Sequence, residues 1–453
     1  MTKLPFERPT IQRINAGLPS KFGLHTHLDP ITHIDGIPVA QLIAEFGSPL
    51  YVISEATIRK TYKDAYRAFA SRYPRVQFAW SYKTNYLNAV CKVFHQEGAW
   101  AEVVSGFEYD KAVANGVPGE FILFNGPDKS EADLLKAIEN GSVLHIDHFD
   151  ELYEIIQLSG QVTRRPRVAI RVNMDVGIYP MWDRFGFNYE NGEAWDAINR
   201  IMLGKKLDLV GLHTHIGTYM MSAEAYRIAT GKLAALAVSL EKKYRNAVEY
   251  IDLGGGFASK NTLRGAYYPG SDTAPSFDDF AEAIVSALMK SEIKPENYPL
   301  LMLETGRALI DDAGYIAGTV LANKRLSNGR RATIIDAGIN LLFTAFWYEH
   351  DIRPAAAVSE QTEDTTLYGP LCMNIDVVRS AVQFPLLKKG DHYVIRRTGA
   401  YNNTQWMQFI TLRPNVVMID MKGTAHIIRR AEDLEVLNRQ ELVPAHLQAF
   451  VLE

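Results

Sequence analysis

The sequence predicts an α/β fold: a parallel (β/α)8 TIM barrel followed by a mostly antiparallel β domain. Three observations lead there. Short β-branched and aromatic runs alternate with helical stretches from about residue 78 to 306. After residue 310 that alternation stops, and strand-like runs follow one another with few helices between them. The 453 residues exceed one average domain and suit a barrel plus a second unit.

The strand candidates of the barrel are FAWSYK (78–83), AEVVSG (101–106), FILFNG (121–126), VLHIDH (143–148), RVAIRVN (167–173), LVGLHTHIG (209–217), YIDLGGG (250–256) and LLMLETG (300–306). Amphipathic stretches such as LNAVCKVFHQEG and AEAYRIATGKLAALAVSLEKKY separate them. The strand PLYVIS (49–54) and its helix are expected to lead into the barrel, which spans 46–310. YIAGTVLANKR, RATIIDAGI, HYVIRRTGA, FITLRPNVVMI and AHIIRRA read as strands of the β-rich domain, assigned to residues 311–453 together with 1–45.

Bulk properties narrow the function classes. A net charge of −4 gives no global field that would gather nucleic acid or a membrane surface. Cys91 and Cys372, far apart, make neither a disulfide framework nor a zinc pattern, which fits a reducing cytoplasm. The opening MTKLPFERPTIQRINAG lacks the apolar core of a secretory signal, and no apolar run approaches the length of a membrane span.

Active-site groups of such barrels sit at the C-terminal ends of strands. Those ends carry Lys83, Glu102, Arg171, His215, Gly254 to Gly256, and Glu304 with Gly306 and Arg307. The set suits an anionic, aromatic cofactor better than a metal. Bare glycine backbone lets N–H groups approach a phosphate closely; taken alone, GGG is equally a tight strand-to-loop turn. A lysine ending an apolar strand is costly unless used or paired, so Lys83 is either functional or half of a salt bridge. His213 and His215 each have the alternative of a satisfied core histidine.

Six motifs give the chain a relative. YKTN around Lys83, HIGT at 215–218, LGGGF at 253–257, ETGR at 304–307, GPLC at 369–372 and GAY at 399–401 occur in order. Together they closely resemble the fold-type III pyridoxal-phosphate (PLP) decarboxylases, the diaminopimelate and ornithine decarboxylase family, over residues 34 to 430. The segment IDGIPVAQLIAEFGSPLYVIS is similar to the diaminopimelate branch. The resemblance implies that Lys83 forms the Schiff base with PLP and that Glu304 keeps the pyridinium nitrogen protonated. It implies that His215 stacks on the ring, and that Thr218, Gly254, Gly255, Gly256, Gly306, Arg307 and Tyr401 hold the phosphate. Glu102 and Arg171 fall near the ring hydroxyl. Cys372 becomes the general acid that reprotonates the α-carbon, reaching across from a partner subunit in a homodimer with shared active sites. No metal is implied.

Two segments depart from the family pattern. After GPLC the family reads like CESxD or CDGxD, and its acidic residue meets the distal amino group of the substrate. Here the run is Cys372-Met373-Asn374-Ile375-Asp376. Diaminopimelate decarboxylases also carry a run like DxGMNxLxRPxLY, whose arginine meets the distal carboxylate. In DAGINLLFTAFWY that place is Thr344, while Tyr348 keeps the tyrosine. The expected reaction is therefore decarboxylation of an L-amino acid or amino-acid conjugate with an altered distal contact set of Met373, Thr344, Tyr348 and Asp376. The aromatics Phe343, Phe346, Trp347, Tyr348 and Trp406 either line that pocket or pack the β domain. The alternative is a diaminopimelate decarboxylase that makes L-lysine.

Rival readings exist outside that chemistry. His25-x-His27 and His213-x-His215 have the spacing of metal-hydrolase ligands, since alternate strand residues face the same way. A racemase of the same fold needs a second base opposite the lysine, and Cys372 in GPLC argues for decarboxylation instead. A regulator that has lost the cofactor would not be expected to keep Lys83, Glu304 and Cys372 together.

Overall fold

The computed structural model of the protein describes residues 28–358 and 361–447. Eight parallel strands form a closed barrel: Val76–Ser81, Trp100–Val103, Ile122–Phe124, Val143–Ile146, Arg167–Asn173, Asp208–His213, Tyr250–Asp252 and Leu300–Leu303. Asp208–His213 pairs with both Arg167–Asn173 and Tyr250–Asp252, and Leu300–Leu303 pairs back onto Val76–Ser81. All eight fall within the runs read from the sequence or begin a few residues earlier.

Alternation along the strands sorts side chains into two layers. Trp80 points outward and stacks on Phe94 of helix Asn88–Gln96, with ring centroids 3.7 Å apart. Its neighbour Ala79 therefore points inward. There it joins Leu123, Val143, Ala169, Val210, Tyr250 and Met302 in a separate apolar cluster that plugs the barrel. The mouth above this plug is where polar side chains gather.

The second sheet runs in the order Val377–Pro385, Thr362–Tyr368, Arg331–Ile335, Gly314–Arg325, Leu50–Ser54, Val416–Ile419, Ala425–Arg429. Strand His392–Arg396 also pairs with Gly314–Arg325 and with Ile352–Pro354. Most pairings are antiparallel; Arg331–Ile335 with Thr362–Tyr368, and Leu50–Ser54 with Val416–Ile419, are parallel.

Leu50–Ser54 corrects one expectation. Rather than leading into the barrel as part of it, the strand lies inside the second sheet, between Gly314–Arg325 and Val416–Ile419. The physical reason is that all five residues are buried, as a central strand covered on both faces must be. Tyr51 and Ile53 face the main core, while Leu50 and Val52 face a smaller cluster with helix Val39–Phe46. Ser54 then caps helix Glu55–Ala70 by accepting from Thr57 N–H, and that helix packs on the barrel core through Ile58, Tyr62 and Phe69.

Candidate active site

Strand Val76–Ser81 runs straight into one 3-10 turn, Tyr82–Thr84, which carries Lys83 over the barrel mouth. Lys83 Nζ lies 2.6 and 2.7 Å from the two oxygens of Glu102, the fully buried carboxylate on the next strand. Ser81 Oγ also donates to Glu102. Burial lowers the pKa of the Lys83 ammonium, but Glu102, supported by Tyr401 and Glu304, outweighs burial and holds it above its usual value.

Glu304 follows the last barrel strand and is almost fully buried. Its Oε1 accepts from Asn125 Nδ2 at 2.7 Å, and Nε2 of His213 lies 3.3 Å from its Oε2. His145 Nδ1 stands 3.8 Å away, while its Nε2 shares a 2.7 Å hydrogen bond with Tyr250. Burial holds His145 and His213 well below the usual imidazole range, so both are neutral. Burial and the neighbouring Glu304 push the Asp252 carboxyl well above its usual range.

Three glycines follow Asp252. Gly254 and Gly256 hold φ values of +64° and +94°, a region L side chains rarely adopt. A Cβ on Gly255 would run into the Glu304 carbonyl, one on Gly256 into the Gly217 carbonyl, and one on Gly306 into Thr84 Oγ1. The backbone therefore closes in as only glycine allows. Gly255 N–H donates to His215 Nδ1 at 3.1 Å, which leaves the ring's proton on Nε2. Burial, with Arg171 and Lys83 nearby, keeps His215 neutral as well.

The second sheet completes the mouth. Tyr401, at φ +63°, is tied to the Lys83 turn by its N–H, which donates to the Thr84 carbonyl at 2.8 Å. The Arg307 guanidinium sits 4.5 Å from the Tyr401 ring centre, 5.2 Å from Tyr348 and 5.7 Å from Tyr219. Its Nη1 is buried without a hydrogen-bond partner among the described residues, a donor left available. A small cleft is lined by Lys83, His215, Thr218, Gly255, Gly256, Glu304, Gly306, Arg307 and Tyr401, together with Ser81. Glu102 contacts that lining through Lys83, and Gly254 through His215. Arg171 stands beside it, 3.7 Å from Asp147 and 4.6 Å from the Phe185 ring centre.

Of the distal set, Tyr348 packs against Arg307 of the cleft lining, while Met373, Thr344 and Asp376 are not part of that lining. Cys372 is exposed on its loop, and Met373 packs half-buried against the core. Asp376 pins the GPLC loop. Its two oxygens accept from Ile339 N–H and Leu371 N–H, each at 2.8 Å. Thr344 is buried; its hydroxyl donates to Asn402 Oδ1 at 2.9 Å and accepts from His350 Nε2 at 2.8 Å. Tyr348 is buried at the Arg307 end. Phe343 packs on Phe346 and Trp347, whereas Trp406 packs on Tyr51 between Arg413 and Arg429.

Of the histidines proposed as metal ligands, His25 and His27 lie outside the described residues. His213 joins His145, Asp252 and Glu304, with ligand atoms all within 4.8 Å of one another, but His215 belongs to the glycine loop instead. Asn125, His145 and Asp252 were not singled out from the sequence. Asn125 was findable, because it ends the run FILFN as the other site residues end theirs.

A family model described as "Pyridoxal-dependent decarboxylase, pyridoxal binding domain" matches residues 56–311. The chain belongs to the pyridoxal-dependent decarboxylases. It is 30% identical to a diaminopimelate decarboxylase of Methanocaldococcus jannaschii, over 91% of this chain and 95% of that one. The figure is 28% for the Bacillus subtilis diaminopimelate decarboxylase, over 93% and 97%. A crystal structure of the M. jannaschii diaminopimelate decarboxylase with L-lysine superposes with a TM-score of 0.84 at 28% identity, covering 94% of this chain and all of that one. The protein is accordingly a PLP-dependent enzyme that decarboxylates an amino acid. Among the described residues, no helix is long and apolar enough to cross a membrane.

Proposed function

We propose that the cleft binds PLP through Lys83 and removes the α-carboxylate of a diaminopimelate-like amino acid. The observation that carries this is the pairing of Lys83 with Glu102 at one side of a cleft whose floor is Glu304. The residues fit the group. Glycines that admit no Cβ and the unpartnered Arg307 Nη1 suit a phosphate, and Tyr401 and Thr218 complete that end. Glu304, held by the Asn125 amide, suits a protonated ring nitrogen. His215, neutral and fixed by Gly255 N–H, suits a ring face. Glu102, beside Lys83, and Arg171 would meet the ring hydroxyl.

Bound PLP supplies an electron sink for the pair of electrons left on the α-carbon when CO2 departs. The chain's residues supply the rest. With PLP in place, the Glu304 carboxylate would accept from the ring nitrogen and so keep that nitrogen protonated, and the Lys83 amine would be the point of attachment. Cys372 delivers a proton to the α-carbon and regains one from solvent. Its exposure outside the cleft lining of its own chain supports a reading in which Cys372 serves the site of a partner copy.

The relatives are named for diaminopimelate, which makes it the first substrate to test. A second reading, an amino acid with a different distal end, has its own support: Thr344 is engaged with Asn402 and His350, and Met373 carries no charge for a terminal ammonium. The test compares kcat/KM for meso-diaminopimelate with that for a conjugated amino acid. Efficient release of CO2 and L-lysine is expected. Preference for the conjugate by on the order of a hundredfold would install the second reading.

A further inference from the structure

The two functional carboxylates lie 202 residues apart in sequence, yet one amide touches both. Asn125 Nδ2 donates to Glu102 Oε1 at 3.0 Å and to Glu304 Oε1 at 2.7 Å. Its two hydrogens serve one acceptor each. Turned over, the amide would set its carbonyl oxygen against two carboxylates, so the orientation is forced while both are ionised. Asn125 Oδ1 is buried without a hydrogen-bond partner among the described residues, so the amide is engaged through its donor end.

The placement of Asn125 is rigid. Its backbone N–H donates to the Val103 carbonyl at 2.8 Å, fixing it against the strand that carries Glu102. Gly126 follows at φ +100°, and a Cβ there would strike the Val104 carbonyl. The turn is therefore held to glycine, and the Asn125 side chain is aimed across the barrel mouth. An aspartate in its place would add a third negative charge between two others; a leucine would leave both carboxylates short of a donor.

We propose that Asn125 is a positioning residue that couples the two ends of the cofactor site, holding Glu102 and Glu304 in register through one shared donor. The inference rests on the PLP reading of the cleft. Other charges act on the same pair: Lys83 faces Glu102 directly, with Glu108 on the following helix and Arg171 across the barrel. His145, His213 and Asp252 face Glu304, and Tyr401 lies over Lys83. None of them touches both carboxylates by a hydrogen bond, and Asn125 does.

The test follows the visible absorbance of bound PLP, and separately kcat/KM, against pH in wild type, Asn125→Ala and Asn125→Asp. Without the shared donor both carboxylates hold protons more tightly. The spectral midpoint and the acid limb of the rate profile should each move up by about one unit, a tenfold change in proton affinity. A general packing defect would lower the melting temperature and leave the midpoint in place. An unmoved midpoint in a variant that binds PLP overturns the proposal. So does a folded Asn125→Asp protein that binds no PLP at all, since that residue would then build the site rather than tune it. Borohydride reduction of the wild type separates this proposal from the reading beneath it: a pyridoxyl label away from Lys83 would overturn the PLP reading itself, before any variant is made.

Discussion

A lysine beside a buried carboxylate is expensive unless the pair has work to do, and Lys83 has Glu102 at 2.6 Å. Lys83→Ala should lose the yellow colour of bound PLP and all decarboxylation while keeping its far-ultraviolet spectrum. A colourless wild type carrying stoichiometric zinc would defeat this and return attention to the His145, His213, Asp252 and Glu304 cluster. Glu108 offers a second test at this scale. Burial pushes its carboxyl up to about 7 from 4.5, although Val104 N–H partly opposes the shift. The folded protein thus keeps a proton that the unfolded chain has given up. Glu108 therefore favours folding most below about pH 4.5, and stability falls as pH rises toward 7. Glu108→Gln removes that dependence. It should leave stability near wild type at pH 5 and raise it at pH 8 by up to about 3 kcal/mol in denaturant titrations, at about 1.4 kcal/mol per unit. Equal effects at both values would mean Glu108 is ionised in the fold.

The glycine loop 254–256 is an element whose shape is its chemistry. Gly256→Ala forces a side chain into positive φ and against the Gly217 carbonyl and the Tyr226 hydroxyl. Strain of about 1–3 kcal/mol should weaken PLP binding on the order of tenfold to a hundredfold in a fluorescence titration. Gly231→Ala, in helix Ala223–Tyr244 with open space around its Cα, is the control and should be neutral or slightly stabilising. Equal affinity in the two variants would remove the loop from the site. Barrel strands were legible because each pairs an apolar run with a chemically marked end, and the marks at Lys83, His215 and Glu304 share one mouth. Leu50–Ser54 was misplaced because a run buried on both faces looks the same in either sheet; only long-range pairing with Gly314–Arg325 decides it. Asn125 escaped notice because an amide next to glycine at a strand end also reads as an ordinary turn. Its meaning lies in two carboxylates that come from other strands.

At the scale of the molecule, the residues marked by local backbone motifs meet at one cleft, whereas Thr344 and Asp376 make their contacts elsewhere in this chain. Thr344 and Asp376 looked like substrate residues by position, but their side chains are consumed by Asn402, His350 and the backbone of the GPLC loop. Alignment of a motif fixes where a residue stands in the chain, whereas hydrogen-bond competition fixes which way it turns. Cys372 poses the same question for the whole assembly. Its thiol is exposed, and the cleft lining of its own chain does not include it. Two copies that exchange these loops would each hold one site built from Lys83 of one chain and Cys372 of the other. Cys372→Ala alone should then slow amine formation on the order of 10²–10⁴-fold while PLP still binds. Mixing it with Lys83→Ala, itself inactive, should restore activity. Random pairing puts about half the chains in hybrids, and one of the two sites in each hybrid is intact, so recovery should approach about a quarter of wild type. Recovery should need subunit exchange and vanish when the two variants are crosslinked separately before mixing. An absence of recovery after exchange has been demonstrated by mass-labelled subunits would place Cys372 in the site of its own chain, and the loop pinned by Asp376 would then have to move to bring it there.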